Sequence, residues 1–481
     1  MGRLTLLPGG QGARADNGPV PDAAAPVPAR PTTPVVATPR GPSPQARTHA
    51  EDLARFVEAS PSSFHAAHEV ARRAVEAGFT LLDEADAWPL ASAEGRYVVV
   101  RDGAVIAWAT PAGASATTPF AILGAHTDSP GFKLKPKPTT GREGWWQAGV
   151  EVYGGPLLNS WLDRELELAG RLVTLDGRSH LVRTGPLLRI PQLAIHLDRS
   201  ANEGLTLDKQ RHTQPVWGLG ALGAPDADLL ALLAEHAGVR AADVGGYDLV
   251  VADTQAPRIF GAHEELLASG RLDNLLSVHA GLTALLEVAA GAPGASTGAR
   301  RGRHGAPVAV LAAFDHEEIG SETRSGASGP FLADVLARIS AGFGAGEEDR
   351  HRALAGSLCV SSDVGHSVHP NYPERHDPAN RPLAGGGPIL KINANQRYAT
   401  DAHGAAAWAA ACAAAGVPSQ EFVSENTVPC GSTIGPLTAT RLGIRTVDVG
   451  APILSMHSAR ELTAVADPYY LSRAIGQVFA G

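Results

Sequence analysis

The sequence predicts an α/β fold, in which a sheet is covered by helices on both faces and interrupted by a mostly β insertion. Three observations carry this reading. Short apolar runs alternate with stretches of helical period before about residue 131 and again after about residue 263. Between those limits the character changes to strand-like pieces separated by turn residues. The 481 residues also leave room for one large domain with an insertion, at about 150 residues per domain.

Residues 1–46 hold ten prolines and no aromatic side chain. Such a segment cannot bury enough surface to offset its ordering entropy, which predicts disorder; a wrongly assigned start codon would leave the same signature. Helical periodicity begins near Ala50 (AEDLARFVEAS) and resumes after Ser63 (FHAAHEVARRAVEAGF), with Ser60, Pro61 and Ser62 as turn and cap. Two strand-like runs follow, RYVVV and AVIAWAT, joined by Asp102-Gly103, a strong hairpin signal. FAILGAH (120–126) reads as a buried strand ending in polar residues. The region 132–262 contains GVEVYG, LAGRLVTL, HLVRT and PQLAIHL as strand pieces, then a polar stretch, DRSANEGLTLDKQRHTQP, expected to be a mobile loop. Beyond it, LDNLLSVHAGLTALLEVAA, HGAAAWAAACAAAG and PYYLSRAIGQVFA have helical patterns, and PVAVLAAF, SLCVSSDV and IRTVDVG read as strands.

Composition removes several classes. Net charge is −9 and no basic stripe is present, which argues against a nucleic-acid partner. No run of about 18 apolar residues exists, so no membrane span is expected, and without a secretory signal the expected location is cytoplasmic. Cys359, Cys412 and Cys430 are far apart and form no CxxC pair, so they read as free thiols rather than a disulfide framework or zinc cage. GLGALG over Gly218–Gly223 matches the dinucleotide fingerprint, but the polar segment before it, with Pro215, is a poor buried strand, and we reject the match. No GxSxG elbow is present; Ser432 in CGSTIG is the nearest look-alike and reads as a loop residue near the metal site described next.

Five clusters of metal-type ligands remain, most of them at the end of an apolar run: His126-Thr-Asp128, Asp273-Asn274, Glu317-Glu318, Asp363 and His457. Each alone is weak, since a single His or Asp after a strand is more often a cap, a turn residue or a hydrogen-bonded polar group. Together, two histidines and several carboxylates without cysteine suit a hard-to-borderline divalent ion such as zinc, manganese or cobalt. Asp128, two residues beyond His126, can stand behind the imidazole and fix its tautomer. An aspartate opening a helix, as in RLDNLL, can bridge two metals, and adjacent glutamates allow one to bind metal while the other handles a proton.

The order HxD, D, EE, D, H resembles that of the co-catalytic zinc peptidases. The surrounding blocks are similar to those of the aspartyl aminopeptidases: SPSSFHAAHEVARRAVEAGF, GAHTDSPGFKLKP, YGGPLLNSWLDRELELAGRL, IPQLAIHLDR, SGRLDNL, FDHEEIGSETRSGA, SSDVGHSVHPNYPERHDP, GPILKINANQRYATD and SMHSARE. The resemblance runs from about residue 47 to the end of the chain. It implies a three-layer α/β/α catalytic domain of the zinc-peptidase type over 47–131 and 263–481, with an inserted, mostly β oligomerisation domain over 132–262. It also implies two divalent ions per subunit, taken as zinc, with manganese or cobalt also compatible. His126 and Asp363 would hold one ion, Glu318 and His457 the other, and Asp273 would bridge them. Asp128 would orient His126, and Glu317 would be the general base. His366, Lys391 and Tyr398 match substrate-contacting positions. His196 matches a histidine that reaches a neighbouring subunit's site and stabilises the oxyanion. The implied assembly is a homo-oligomer, a tetrahedral dodecamer in the family, acting on peptides with N-terminal Asp or Glu.

Three readings stay open: an acidic-specific aminopeptidase, a related dinuclear aminopeptidase of broader or neutral specificity, and a catalytically silent shell protein. The complete ligand set with Glu317 speaks against the third. The first two differ at Lys391, which would pair with an acidic substrate side chain in a dehydrated pocket. The chain's 40 basic residues divide into 35 Arg and 5 Lys, and Lys391 is the only lysine in the last 272 residues. Lys133, Lys135 and Lys137 read as a solvated strand edge. His316 reads as packing or outer-shell, and His369, His376 and His403 as structural or surface residues.

Overall fold

The computed structural model describes residues 41–89, 95–224, 226–291 and 305–481. Most of the segment expected to be disordered, 1–40, lies outside them. Its last residues do not follow that expectation: the first helix, Pro44–Ala59, starts before residue 47, with Pro44 in its first turn and the Ser43 hydroxyl accepting the Ala46 N–H at 3.1 Å. The second helix, Ser63–Glu76, is capped by Ser62 as the sequence predicts.

Nine strands form the central sheet, in the spatial order Thr80–Leu82, Gly95–Arg101, Ala104–Thr110, Val308–Phe314, Phe120–His126, Leu358–Ser362, Arg445–Gly450, Ile389–Lys391, Gln420–Phe422. Asp102-Gly103 closes the antiparallel hairpin of the second and third strands, with Asp102 at φ 57°. The central strands are wholly buried, which accounts for their continuous apolar reading.

Alternate residues of these strands face two separate cores. Leu123, Leu311, Val360 and Val447 pack against the helices Pro44–Ala59, Ser63–Glu76, Leu272–Ala289, Ala402–Ala415 and Ala466–Ala480. Ile122, Val310 and Phe314 pack on the other face with Phe331, Val335, Leu336 and Ile434, from helices Phe331–Gly342 and Ile434–Leu442. The architecture is therefore three-layer α/β/α.

Four neighbouring strands set the position of the site. Val308–Phe314, Phe120–His126, Leu358–Ser362 and Arg445–Gly450 are mutually parallel, so their carboxyl ends share one edge. Open α/β sheets bind ligands at that edge.

The inserted segment folds as a six-stranded antiparallel sheet, ordered Ser179–Arg183, Leu166–Thr174, Val244–Asp253, Gly131–Arg142, Trp145–Tyr153, Val216–Leu219. It has its own core around Phe132, Trp161, Leu168, Leu172, Leu229, Leu233 and Leu249. Strand Arg258–Phe260, inside the expected limits of the insertion, instead joins a third sheet with Leu266–Ser269, Glu461–Ala464, Pro452–Leu454 and Gly365–His366. Residues 41–481 pack as one compact unit.

PQLAIHL is not a strand. Residues 191–197 form a loop in which Leu193, Ile195 and Leu197 are all exposed, and among the described residues no strand pairs with them. The rejected fingerprint has a packing cause: a Cβ on Gly218 would lie 2.3 Å from the Trp146 ring across an edge strand. Among the described residues no helix is long and apolar enough to cross a membrane.

Candidate metal centre

The shared strand edge gathers side chains that are remote in sequence. His126 ends its strand directly opposite Phe314, whose chain continues through Asp315 into the Glu317–Ile319 turn. Asp363 follows Leu358–Ser362 and is fixed by its N–H to the Val449 carbonyl at 3.0 Å. Asp273 sits in the first turn of helix Leu272–Ala289, behind Arg271 at φ 56°. His457 follows Pro452–Leu454, at φ 66°.

The geometry around Asp273 is divided in two. Its Oδ1 lies 3.2 Å from His126 Nε2, and that nitrogen lies 3.7 Å from Asp363 Oδ1. Its Oδ2 lies 3.5 Å from His457 Nε2, which is also 3.5 Å from Glu318 Oε2. Each oxygen of one carboxylate thus faces one imidazole and one further carboxylate. Ligand atoms of His126, Asp273 and Glu318 all fall within 4.8 Å of one another. Glu317 Oε2 stands beside them, 4.0 Å from His126 Nε2.

The donor set fits a cation. His126 Nδ1 is 3.0 Å from the Asp128 carbonyl, and His457 Nδ1 is 3.0 Å from the Gly155 carbonyl. A carbonyl only accepts, so each Nδ1 carries a proton and each Nε2 is left facing carboxylate oxygens, the orientation a metal-binding imidazole takes. Two of the carboxylate oxygens, Asp273 Oδ1 and Glu318 Oε1, are buried without a hydrogen-bond donor. Burial pushes Glu318 up, reinforced by the Asp273 charge. It also pushes Glu317 up to about 7 against the opposing pull of His126. Burial alone would lower His457, but the Asp273 carboxylate overrides it and raises the imidazole to about 9. So many buried acids are costly without a positive partner, and a bound cation meets that need better than a second proton on each imidazole.

Asp128 does more than stand behind His126. Its Oδ1 lies 3.5 Å from Nδ1, but its two oxygens also accept the backbone N–H of Glu317 at 3.0 Å and of Glu318 at 3.1 Å. The Tyr153 hydroxyl donates to it at 2.9 Å. Tyr153 and Gly155 both come from the inserted segment, and both escaped the sequence reading. The only signal was the YGG run closing a strand. Gly154 has φ 66°, and a Cβ there would meet Glu318 Cβ at 3.1 Å, so only glycine lets this turn approach the centre.

A cavity of about 600 Å³ opens on the cluster. Glu317, Glu318, Asp363, His366, Lys391, Tyr398 and His457 line it, with Ser432 in the loop expected near the site. Lys391 is 3% exposed. Its Nζ donates to the Val364 carbonyl at 2.9 Å, lies 3.8 Å from Asp363 Oδ2 and sits over the Tyr398 ring at 5.4 Å. His316 bonds through Nδ1 with Thr323 at 3.0 Å, in keeping with an outer-shell reading. Every predicted site residue converges here except His196, which is exposed on the 191–197 loop and does not line the cavity.

Comparison with known proteins agrees with this geometry. Residues 56–479 match the family described as aminopeptidase I zinc metalloprotease (M18). A Streptomyces avermitilis protein named probable M18 family aminopeptidase 2 is 57% identical over 431 residues, covering 89% of this chain and 97% of that one. A Mycobacterium tuberculosis protein of the same name is 45% identical over 434 residues, covering 89% and 96%. Among solved structures, Ape4 in its complex with Nbr1 aligns with a TM-score of 0.84 at 36% identity, covering 90% of this chain and 86% of that chain. The S. cerevisiae mApe1 dodecamer aligns with a TM-score of 0.76 at 28% identity, covering 90% and 96%. The chain belongs to the M18 family of zinc metallo-aminopeptidases.

Proposed function

We propose that this aminopeptidase removes N-terminal Asp or Glu from peptides with two divalent ions, His126 and Asp363 holding one, Glu318 and His457 the other, and Asp273 bridging. The observation that carries the two-ion reading is the division of the Asp273 oxygens between two separate His and carboxylate pairs. Bound there, the ions would polarise the scissile carbonyl and acidify a water. Glu317, half-buried at the cavity wall, takes the proton from that water on its carboxylate and passes it to the leaving amine. Asp128 holds the Glu317–Glu318 turn in register through the two backbone bonds.

Acidic preference rests on Lys391, the only Lys or Arg among the described residues lining the cavity. An ammonium has three donors, and one is given to Val364. His366 and Tyr398 flank the same space. One observation favours a broader specificity instead: the Lys391 charge already has Asp363 at 3.8 Å, so it can serve the metal ligand rather than the substrate.

We further propose a homo-oligomer in which His196 reaches a neighbouring subunit's cavity and stabilises the oxyanion. The exposed Leu193, Ile195 and Leu197 around it support an interface there, as does the similarity to the mApe1 dodecamer. A panel of N-terminal substrates assayed with defined metal ions tests the function. Cleavage confined to Asp and Glu substrates is expected, and equal cleavage of neutral ones overturns the acidic reading.

A further inference from the structure

We propose that Glu461 is a positioning residue that sets the spacing of two metal ligands by holding their backbones. Glu461 begins the strand Glu461–Ala464 and is 2% exposed. Its Oε2 accepts the N–H of Asp273 at 3.0 Å, and its Oε1 accepts the N–H of His457 at 2.8 Å. Asp273 lies 188 residues upstream, so one side chain ties together two distant segments. These are the carboxylate and the imidazole whose contact is 3.5 Å.

Three features make this more than a buried hydrogen bond. Both Glu461 oxygens are taken up by the two backbone N–H groups, so its carboxylate acts on the ligands through their main chain. His457 occupies the left-handed region at φ 66°, which a non-glycine residue keeps only when its surroundings impose it. Finally, the arrangement repeats one already seen: Asp128 receives the N–H groups of Glu317 and Glu318 with its own two oxygens. One carboxylate thus fixes the base and its neighbouring ligand, and the other fixes the bridging ligand and its histidine. Such outer-shell bonds change metal affinity by roughly 10- to 100-fold.

The inference rests on the two-ion reading, and the test separates them. Asp467 is the matched control. It is also fully buried, and its two oxygens accept the N–H groups of Gly385 and Gly387 at 2.7 and 2.9 Å, away from the ligands. Zinc stoichiometry and affinity are measured on metal-stripped wild type, Glu461→Gln, Glu461→Asp and Asp467→Asn, together with the thermal midpoint of each metal-free form. KM and kcat are then measured at saturating zinc.

Glu461→Gln is expected to lose roughly 10- to 100-fold in zinc affinity at one of two sites with KM unchanged. Asp467→Asn should lose thermal stability alone. Glu461→Asp keeps the charge but is one methylene too short to reach both N–H groups, and it should weaken zinc too; it decides the matter if the glutamine variant does not fold. Zinc affinity within twofold of wild type in the Glu461 variants, or an equal loss in Asp467→Asn, overturns the proposal. Wild type binding fewer than two zinc ions refutes the two-ion reading itself.

Discussion

Replacing Lys391 with methionine removes the ammonium while keeping an unbranched apolar stem of similar reach. The side chain is 3% exposed, so water does not screen its charge. A substrate carboxylate entering this cavity would be left desolvated and unpaired. Breaking one side of such a pair costs about 3–5 kcal/mol when fully buried. The open mouth of the cavity brings this to about 2–4 kcal/mol, a loss of roughly 30- to 1000-fold in kcat/KM for Asp and Glu substrates at about 1.4 kcal/mol per tenfold. Two further effects act on every substrate alike. The Val364 carbonyl loses its donor, costing about 1–3 kcal/mol of stability. Asp363 loses a cation 3.8 Å away, which alters its pull on the metal. The decisive quantity is therefore the ratio of kcat/KM for an N-terminal Glu substrate to that for its Gln counterpart, measured at saturating zinc. Wild type should favour Glu, and the variant should bring the ratio to one or below. An equal loss on both substrates would show that Lys391 serves Asp363 and not the substrate, and would refute the acidic assignment.

Glu317→Gln should retain zinc and assembly but lose roughly 100- to 10,000-fold in kcat, and near-normal turnover would remove Glu317 as the base. Tyr153→Phe deletes the donor to Asp128 and should cost about 1.5–3 kcal/mol in denaturant unfolding of the metal-free form; an unchanged midpoint would show that the bond adds nothing. In the metal-free protein His457 is raised to about 9, so it is protonated in the neutral range and its contribution to stability is lost as pH rises through that value. Zinc must displace that proton, so zinc affinity should increase from pH 6 toward pH 9 with proton release in calorimetry; a flat profile would contradict the assignment of His457 as a ligand. His196→Ala should reduce turnover while leaving the oligomer and zinc content intact, and a fully active monomer of the unaltered protein would rule out a shared site.

The parts of this molecule that were legible in its sequence share a physical cause. The strands Phe120–His126 and Val308–Phe314 are covered on both faces, so burial wrote itself into uninterrupted apolar runs, and the ligands stand where those runs stop. His126, Asp363 and the Glu317–Glu318 pair could be found for that reason. Short strands such as Gly365–His366 and Ile389–Lys391 have no room to display a period, yet one carries His366 and the other Lys391. Only the resemblance pointed to those two side chains. The work of Glu461 and Gly155 was invisible for a different reason. It passes through backbone N–H groups and a carbonyl, which every residue type but proline carries alike, so no residue pattern marks the partners. The 191–197 loop failed in the opposite sense, since its alternating apolar residues look like a strand but stand exposed on a loop.

The inserted sheet matters to the centre in its own chain, whatever it does between subunits. It has a separate core and an open six-stranded sheet of antiparallel pairs, which is the anatomy of an accessory module. Yet its strand Trp145–Tyr153 ends at the metal cluster and not at the module's far rim. There Tyr153 binds Asp128, and the Gly155 carbonyl sets the tautomer of His457. The same segment gives a return bond, from the Leu157 N–H to the His457 carbonyl at 2.9 Å, and the Ser160 hydroxyl accepts the Ala459 N–H at 2.9 Å. The segment after Pro452–Leu454 that carries His457 is therefore held between Glu461 on the catalytic side and Gly154–Ser160 on the inserted side. With its ring nitrogen and its backbone both fixed, His457 can hold a left-handed conformation that would otherwise relax. A catalytic domain closed across the insertion would keep every ligand type and lose the bonds that aim one of them. On the proposed ligand set, the insertion is thus part of the candidate metal site's construction within a single subunit, independent of any contact it makes with another.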